Sequence, residues 1–154
     1  MKKKSLQQGF NLLELMLALL VVAAITFTSI RYFFTANQQA RVTQAVSQID
    51  TLVKASYEWV QGKDNFSGIT VKDLVAAGYL PSSFEQTVNN PWKGSIEISA
   101  SSSDLHRLLI TLSNVPYNAC VGLMEKLQQQ VAVKDGKPII TDCPTKDTTF
   151  WGVF

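Results

Sequence analysis

An unbroken apolar segment near the N-terminus constrains this chain more than any other feature of its sequence. Every residue from 15 to 25 is apolar, and the apolar segment as a whole covers residues 10–34. Its only charged residues are Glu14 and Arg31. A helix of about 20 apolar residues spans the hydrocarbon core of a bilayer. A secretory signal peptide has a shorter apolar region and ends at a small-residue cleavage site, which does not follow here. The segment therefore predicts one transmembrane helix over residues 10–34.

The same helix is predicted to continue beyond the membrane as an amphipathic segment over residues 35–61. Neither proline nor glycine occurs between Phe10 and Gln61, so nothing in the sequence demands a break, and Gly62 is the natural stop. Apolar residues recur at spacings of three and four, as on one side of an α-helix. The predicted stripe is Val42, Ala45, Val46, Ile49, Leu52, Val53, Tyr57 and Val60.

The basic excess of the chain lies in its first nine residues. The formal net charge is +2, and Lys2, Lys3 and Lys4 precede the apolar segment without an acid to offset them. Basic residues in this position are typical of the cytoplasmic side of a membrane helix. No basic stripe interleaved with aromatic residues follows, so nucleic acid is not expected as a partner of the monomer.

Glu14 is an acid inside a segment predicted to lie in lipid. A carboxylate there costs several kcal/mol, so it is by default a functional residue that needs a partner. If the chain is cut between Gly9 and Phe10, the new α-amino group is a candidate partner, and the Glu14 of a neighbouring copy could pair with it. Such a pair would set the axial register between two helices. Two other readings stay open: Glu14 lies among lipid headgroups, or it pairs with the amine of its own chain.

The segment KKKSLQQGFNLLEL, from Lys2 to Leu15, resembles the type III signal of type IV pilins and pseudopilins. The resemblance implies that residues 1–9 are a leader that a prepilin peptidase removes after Gly9. It implies further that the amine of Phe10 is methylated and that Glu14 acts in subunit assembly and register. Many members of the family carry a glycine and a proline in this helix, whereas Ala23 and Arg31 stand in the corresponding stretch here.

A second stretch, NVPYNAC, ends at Cys120 and resembles the cysteine-bearing helix of type IVb pilins, including those of conjugative thin pili. The leader is instead more typical of the other branch, so the subclass stays open. The two cysteines, Cys120 and Cys143, form an even set downstream of an export signal, which favours one disulfide. Two unlinked buried thiols are the alternative. His106 has no CxxC or HxxxH partner, so no metal site is expected.

Residues 62–154 are predicted to form a globular head in an α+β fold, with the long helix packed on a small antiparallel sheet. Thr70 is a predicted N-cap for a short helix that ends at Gly78. Asp135 and Gly136 are typical of a tight hairpin turn. The other predicted elements are strands over residues 95–99 and 108–112, a polar link over residues 99–103, and a helix over residues 117–130. The terminal residues 150–154 are expected either to form another strand or to close the core with Phe150, Trp151 and Phe154.

No catalytic residues and no cofactor are expected, because neither a catalytic triad nor a phosphate-binding motif can be assembled from this sequence. The resemblance implies a structural subunit, major or minor, of a type IV pilus that serves adhesion, conjugation or DNA uptake. The alternative is a pseudopilin of a type II secretion system. The implied partners are other copies of the chain, other pilins, prepilin peptidase and the pilus assembly machinery. The implied location is the bacterial inner membrane with the head in the periplasm, and then the extracellular pilus.

Overall fold

The computed structural model describes residues 12–82, 84, 89–143 and 149–154. The chain divides into two compact units, with the boundary in the sequence between Asn37 and Gln38. Helix α1, Leu12–Val60, contributes its first half to the N-terminal unit and its second half to the C-terminal unit. The remaining elements, all in the C-terminal unit, are α2 (Val71–Ala76), β1 (Ile96–Ser101), β2 (Asp104–Leu112), α3 (Tyr117–Leu127), β3 (Val133–Lys134), β4 (Lys137–Pro138) and β5 (Phe150–Val153).

The second half of α1 buries one stripe of side chains in the core of the C-terminal unit. Val42, Ala45, Ile49 and Leu52 belong to it, as predicted. The stripe then continues through Ala55, Ser56 and Trp59 at helical spacing. The prediction that Tyr57 belongs to this stripe is wrong. Tyr57 follows the buried Ser56 and therefore points in a different direction from the helix axis, and its side chain is 45% exposed.

The principal sheet has three antiparallel strands in the order β1-β2-β5, and its inner face meets the α1 stripe in one hydrophobic core. Ile98 of β1 lies opposite Ile110 of β2, which lies opposite Gly152 of β5. Alternate residues of β1 and β2 are buried, as expected for strands with one face on a core. The predicted α+β architecture of a long helix on a small antiparallel sheet is therefore confirmed.

Helix α3 packs against α1 on the side of Val42. The Cβ of an alanine at Gly122 would lie 3.6 Å from the Val42 methyl groups, which is ordinary contact. The Lys126 ammonium group donates a hydrogen bond of 3.0 Å to the hydroxyl of Thr43. Residues at these α1 and α3 positions therefore fix how the two helices of the head meet.

The predicted helix N-cap and the predicted hairpin turn are both confirmed. The Thr70 hydroxyl accepts a hydrogen bond from the backbone N–H of Asp73 at the start of α2. Asp135 and Gly136 have φ of 52° and 77°, as a type I′ turn requires, and join β3 to β4 in a two-stranded hairpin.

Three sequence-based boundaries are wrong. The segment predicted as a polar link is strand as far as Ser101, because Ser99 pairs with Leu109 and the reversal takes only two residues. The β2 strand begins at Asp104 rather than at residue 108. Helix α3 ends at Leu127, whose side chain is buried, and not at the predicted residue 130. After Leu127 the chain forms a turn instead of continuing as helix.

The aromatic C-terminus pairs with β2, as one of its predicted arrangements required. Phe150 and Phe154 are buried in the core, which confirms their predicted packing. Trp151 points to the opposite face and is 38% exposed, so its predicted place in the core is wrong. Successive side chains of a strand point to opposite faces of the sheet, so Trp151 and Phe150 lie on opposite faces.

Asn90 fastens the loop before β1 to the end of β2. Its side-chain oxygen accepts hydrogen bonds from the backbone N–H groups of Trp92, at 2.9 Å, and Gly94, at 3.0 Å. Its side-chain amide donates to the carbonyl oxygen of Ser113. Any side chain at residue 94 would collide with this carbonyl group, so only glycine fits there. The loop and the sheet are thus joined through one buried amide.

Candidate functional site

The first half of α1 exposes apolar side chains on every side. Large apolar residues throughout this half are from 49% to 78% exposed. They are Leu12, Leu13, Leu15, Met16, Leu17, Leu19, Leu20, Val21, Val22, Ile25, Phe27, Ile30, Tyr32, Phe33 and Phe34. A helix that is apolar all round belongs in lipid or among other helices. By length and composition, α1 is able to cross a membrane.

The helix is continuous through the two positions where the sequence departs from many pilins. Ala23 and Arg31 both lie inside α1, and the helix runs without interruption from Leu12 to Val60. Alanine and arginine are both favourable helix residues. Local composition therefore supports helical structure through this stretch.

Glu14 lies in the first turn of α1 with its side chain exposed. An acid in the first turn is favourable because the helix dipole is positive there. Within the described part of the chain, Glu14 has no cation within ion-pair distance. The ion pair observed there joins Arg107 to Asp104 in the head. Gly9 and Phe10, the residues of the expected cleavage and methylation, lie outside the described residues.

The hydroxyl groups in this half of the helix are satisfied within the helix itself. Thr26 donates to the carbonyl oxygen of Val22, and Ser29 donates to that of Ile25. Thr28 and Thr35 donate in the same way to carbonyl groups three or four residues earlier. Such bonds let a hydroxyl group enter an apolar environment at small cost.

Arg31 is the second charge of the apolar half, and its guanidinium group lies over an aromatic ring of the same helix. The Arg31 Cζ atom is 4.8 Å from the centroid of the Phe27 ring, one helical turn toward the N-terminus. Within the described residues, no carboxylate lies within ion-pair distance of this guanidinium group. Stacking on a ring covers one face of the guanidinium and leaves its edge N–H groups to bond elsewhere. The sequence shows Arg31 as one of two charges in the apolar segment and as a departure from the pilin pattern, but it did not predict Arg31 as a candidate site residue.

The predicted disulfide is present between Cys120 on α3 and Cys143 in the segment before β5. The S–S distance is 2.04 Å and the two Cα atoms are 5.7 Å apart. Both cysteines are buried and belong to the hydrophobic core of the head. The bridge therefore fastens the C-terminal segment to α3, and the alternative of two unlinked thiols is wrong.

The head contains few groups that could support chemistry. His106 lies exposed on β2, where its backbone N–H donates to Asp104. Among the described residues, no three His, Cys, Asp or Glu side chains lie close enough together to hold a metal ion. Trp59 is buried, Trp92 is half-buried and Trp151 is partly exposed, so the tryptophans do not form a common surface.

Comparisons with known proteins agree with the resemblance found in the N-terminal segment. The PilS family, described as "PilS N terminal", matches residues 38–149. A type IV major fimbrial protein, FimA of Dichelobacter nodosus, is 31% identical over 100 residues, which are 62% of this chain and 64% of that protein. The major structural subunit of the bundle-forming pilus of Escherichia coli O127:H6 is 23% identical over 125 residues, which are 78% of this chain and 65% of that protein.

The chain thus spans slightly less than two thirds of the length of these curated relatives. The PilS match covers most of the head and the second half of α1, whereas the segment that resembles a prepilin-type signal precedes it in the sequence. The two similarities therefore concern different parts of the molecule and point to one family. Because the family match covers well over half of the chain, the chain belongs to the PilS/type IV pilin family.

Proposed function

We propose that this chain is a structural subunit of a type IV pilus, which polymerises through the first half of α1. The observation that carries the proposal is that the first half of α1 exposes apolar side chains on every side and carries one acid, Glu14, in its first turn. Before assembly the helix lies in the bacterial inner membrane with the head in the periplasm. In the pilus, the helices of other copies replace lipid around it.

Cleavage after Gly9 prepares the chain for assembly in this proposal. Prepilin peptidase removes residues 1–9 and the amine of Phe10 becomes methylated, as the resemblance implies. Glu14 of one copy then pairs with the Phe10 amine of a neighbour. A charge pair in a low-dielectric core is worth far more than in water, so it can set the register between copies.

In this proposal the chain is a structural subunit rather than an enzyme. The relatives reported above are named as fimbrial and pilus subunits, which favours a surface fibre over the secretion-system alternative. The assembled pilus serves adhesion, conjugation or DNA uptake. Its other partners are further pilins and the pilus assembly machinery.

The test compares two glutamates of the same helix. Glu14→Gln removes the charge at almost constant shape, and we expect it to abolish surface fibres while the chain accumulates in the membrane. Glu58→Gln is the matched control, because Glu58 is an exposed acid in the second half of α1. Sheared fibres are counted by electron microscopy, and membrane levels are measured by immunoblot.

The same preparation gives an independent reading of processing. Mass spectrometry of fibres from the unaltered chain should find an N-terminus at methylated Phe10. Normal fibres from Glu14→Gln would contradict the register role of Glu14. A mature chain that begins at Met1, or a chain that never forms fibres, would contradict the proposed function as a whole.

A further inference from the structure

The two charges of the apolar half of α1 are complementary and both lack a partner among the described residues. Between Leu12 and Phe34 the helix carries one acid, Glu14, and one base, Arg31. The neighbouring hydroxyl groups are already bonded within the helix. In a core of packed apolar helices, an unpaired charge is strongly unfavourable, whereas removing it from water with a partner is tolerated. Each charge therefore needs an opposite charge that the described part of its own helix does not supply.

One helix cannot pair these two charges with each other. Glu14 and Arg31 are 17 residues apart in the sequence. At a rise of ~1.5 Å per residue that is about 25 Å along the axis, far beyond the reach of both side chains. The Arg31 guanidinium group reaches back over Phe27, which shortens the gap by at most one turn, ~5.4 Å. The pair can form only between two copies.

We propose that Arg31 of one copy pairs with Glu14 of another copy that is displaced along the helix axis by about 20 to 25 Å. This inference rests on the proposed polymerisation of the chain and assigns a second, distant contact to the same carboxylate. Two copies side by side at the same level in a membrane place Glu14 beside Glu14 and Arg31 beside Arg31. The pair thus forms when a copy leaves that level and joins a growing filament.

The positions of the two charges around the helix also fit an open polymer. With 3.6 residues per turn, Glu14 and Arg31 point in directions about 100° apart. Each copy therefore offers its acid to one neighbour and its base to a different neighbour. Contacts of this head-to-tail kind extend into a filament rather than closing into a dimer.

The carboxylate has room for both of its proposed partners. An ionised glutamate accepts hydrogen bonds at two oxygens and offers about four lone-pair sites. The amine of Phe10 lies only four residues before Glu14, so an amine pair between copies needs a displacement of about 6 Å. The amine and the guanidinium group therefore come from different neighbours and do not compete for one position.

Cysteine cross-linking tests the displacement without altering either charge. Ala18 and Thr35 lie four residues beyond Glu14 and Arg31, on the corresponding helix faces. The double variant Ala18→Cys with Thr35→Cys should give a ladder of cross-linked copies in filaments treated with a reagent that spans about one turn, ~5.4 Å. The native cysteines do not interfere, since both are in the disulfide. Ala18→Cys with Thr28→Cys is the matched control for a shorter displacement and should give no ladder.

Charge variants test whether the pair stabilises the filament. Arg31→Gln should reduce the yield of sheared filaments at least tenfold, and Arg31→Lys should restore most of it because the charge is kept. Arg41→Gln is the control, since Arg41 is an exposed arginine of α1 outside the apolar half and should leave the yield unchanged.

The outcomes separate this inference from the proposed function. Filaments that cross-link through residues 18 and 28 but not through 18 and 35 would overturn the displacement and leave the pilus role standing. Normal yield and an unchanged ladder in Arg31→Gln would overturn the ion pair in the same way. Failure of the unaltered chain to form filaments would overturn both proposals.

Discussion

The buried amide of Asn90 offers the sharpest test of how the head is held together. Asn90 is 3% exposed and its side chain makes three hydrogen bonds to backbone groups, those of Trp92, Gly94 and Ser113. Asn90→Ala removes all three. A typical hydrogen bond contributes about 1 kcal/mol net, and a buried N–H left without a partner, as at Gly94, costs about 1 to 3 kcal/mol. We expect the free energy of unfolding to fall by about 2 to 4 kcal/mol.

The adjacent residue provides a matched control. Asn89 is the same residue type in the same loop, but its side chain is exposed. Asn89→Ala should change the free energy of unfolding by at most about 0.5 kcal/mol, as is usual for exposed positions. Any effect of losing an asparagine from this loop in general is therefore measured separately.

Urea unfolding of the full chain in mild detergent, followed by near-ultraviolet circular dichroism, is a suitable assay. With a slope of about 2 kcal/mol per molar urea, Asn90→Ala should lower the midpoint by about 1 to 2 M. Equal midpoints for the Asn90 and Asn89 variants would refute the reasoning, because the amide would then not be what joins the loop to β2.

Two further predictions concern the core of the head. Ser56 is fully buried and its hydroxyl group has no hydrogen-bond partner among the described residues, so Ser56→Ala should stabilise the head by about 1 to 2 kcal/mol in the same unfolding assay, more than the exposed control Ser47→Ala. Equal effects would show that helix propensity alone is responsible. Replacing Cys120 and Cys143 together by serine frees a link across 23 residues and should cost about 3 kcal/mol, and an unchanged melting temperature would contradict this.

Elements governed by local chemistry could be predicted from the sequence. The long helix follows from its apolar run and the absence of proline and glycine, and it ends at Val60, just before Gly62. The Thr70 cap and the Asp135-Gly136 turn depend on residues only a few positions apart. The disulfide could be predicted because only two cysteines exist to be joined.

Features that depend on distant contacts could not be read from the sequence. The Asn-Asn-Pro segment indicates a turn, but nothing in it reveals that Asn90 bonds to Ser113, 23 residues away. The serines up to Ser101 look like a linker, and only pairing with β2 makes them strand. Trp151 resembles a core residue until the register of β5 places it on the outer face.

The absence of proline and glycine from the first half of α1 bears directly on the proposed assembly. A proline inside a helix removes a hydrogen bond and costs about 3 kcal/mol, so a helix that contains one is prepared to bend or loosen. Arg31 in the corresponding stretch keeps the helix intact and adds a charge in the same place. The first half of α1 therefore has no proline or glycine at which local unwinding would be favoured. An intact helix instead holds its two charges at a fixed separation, and a fixed separation is what an ion pair between displaced copies requires.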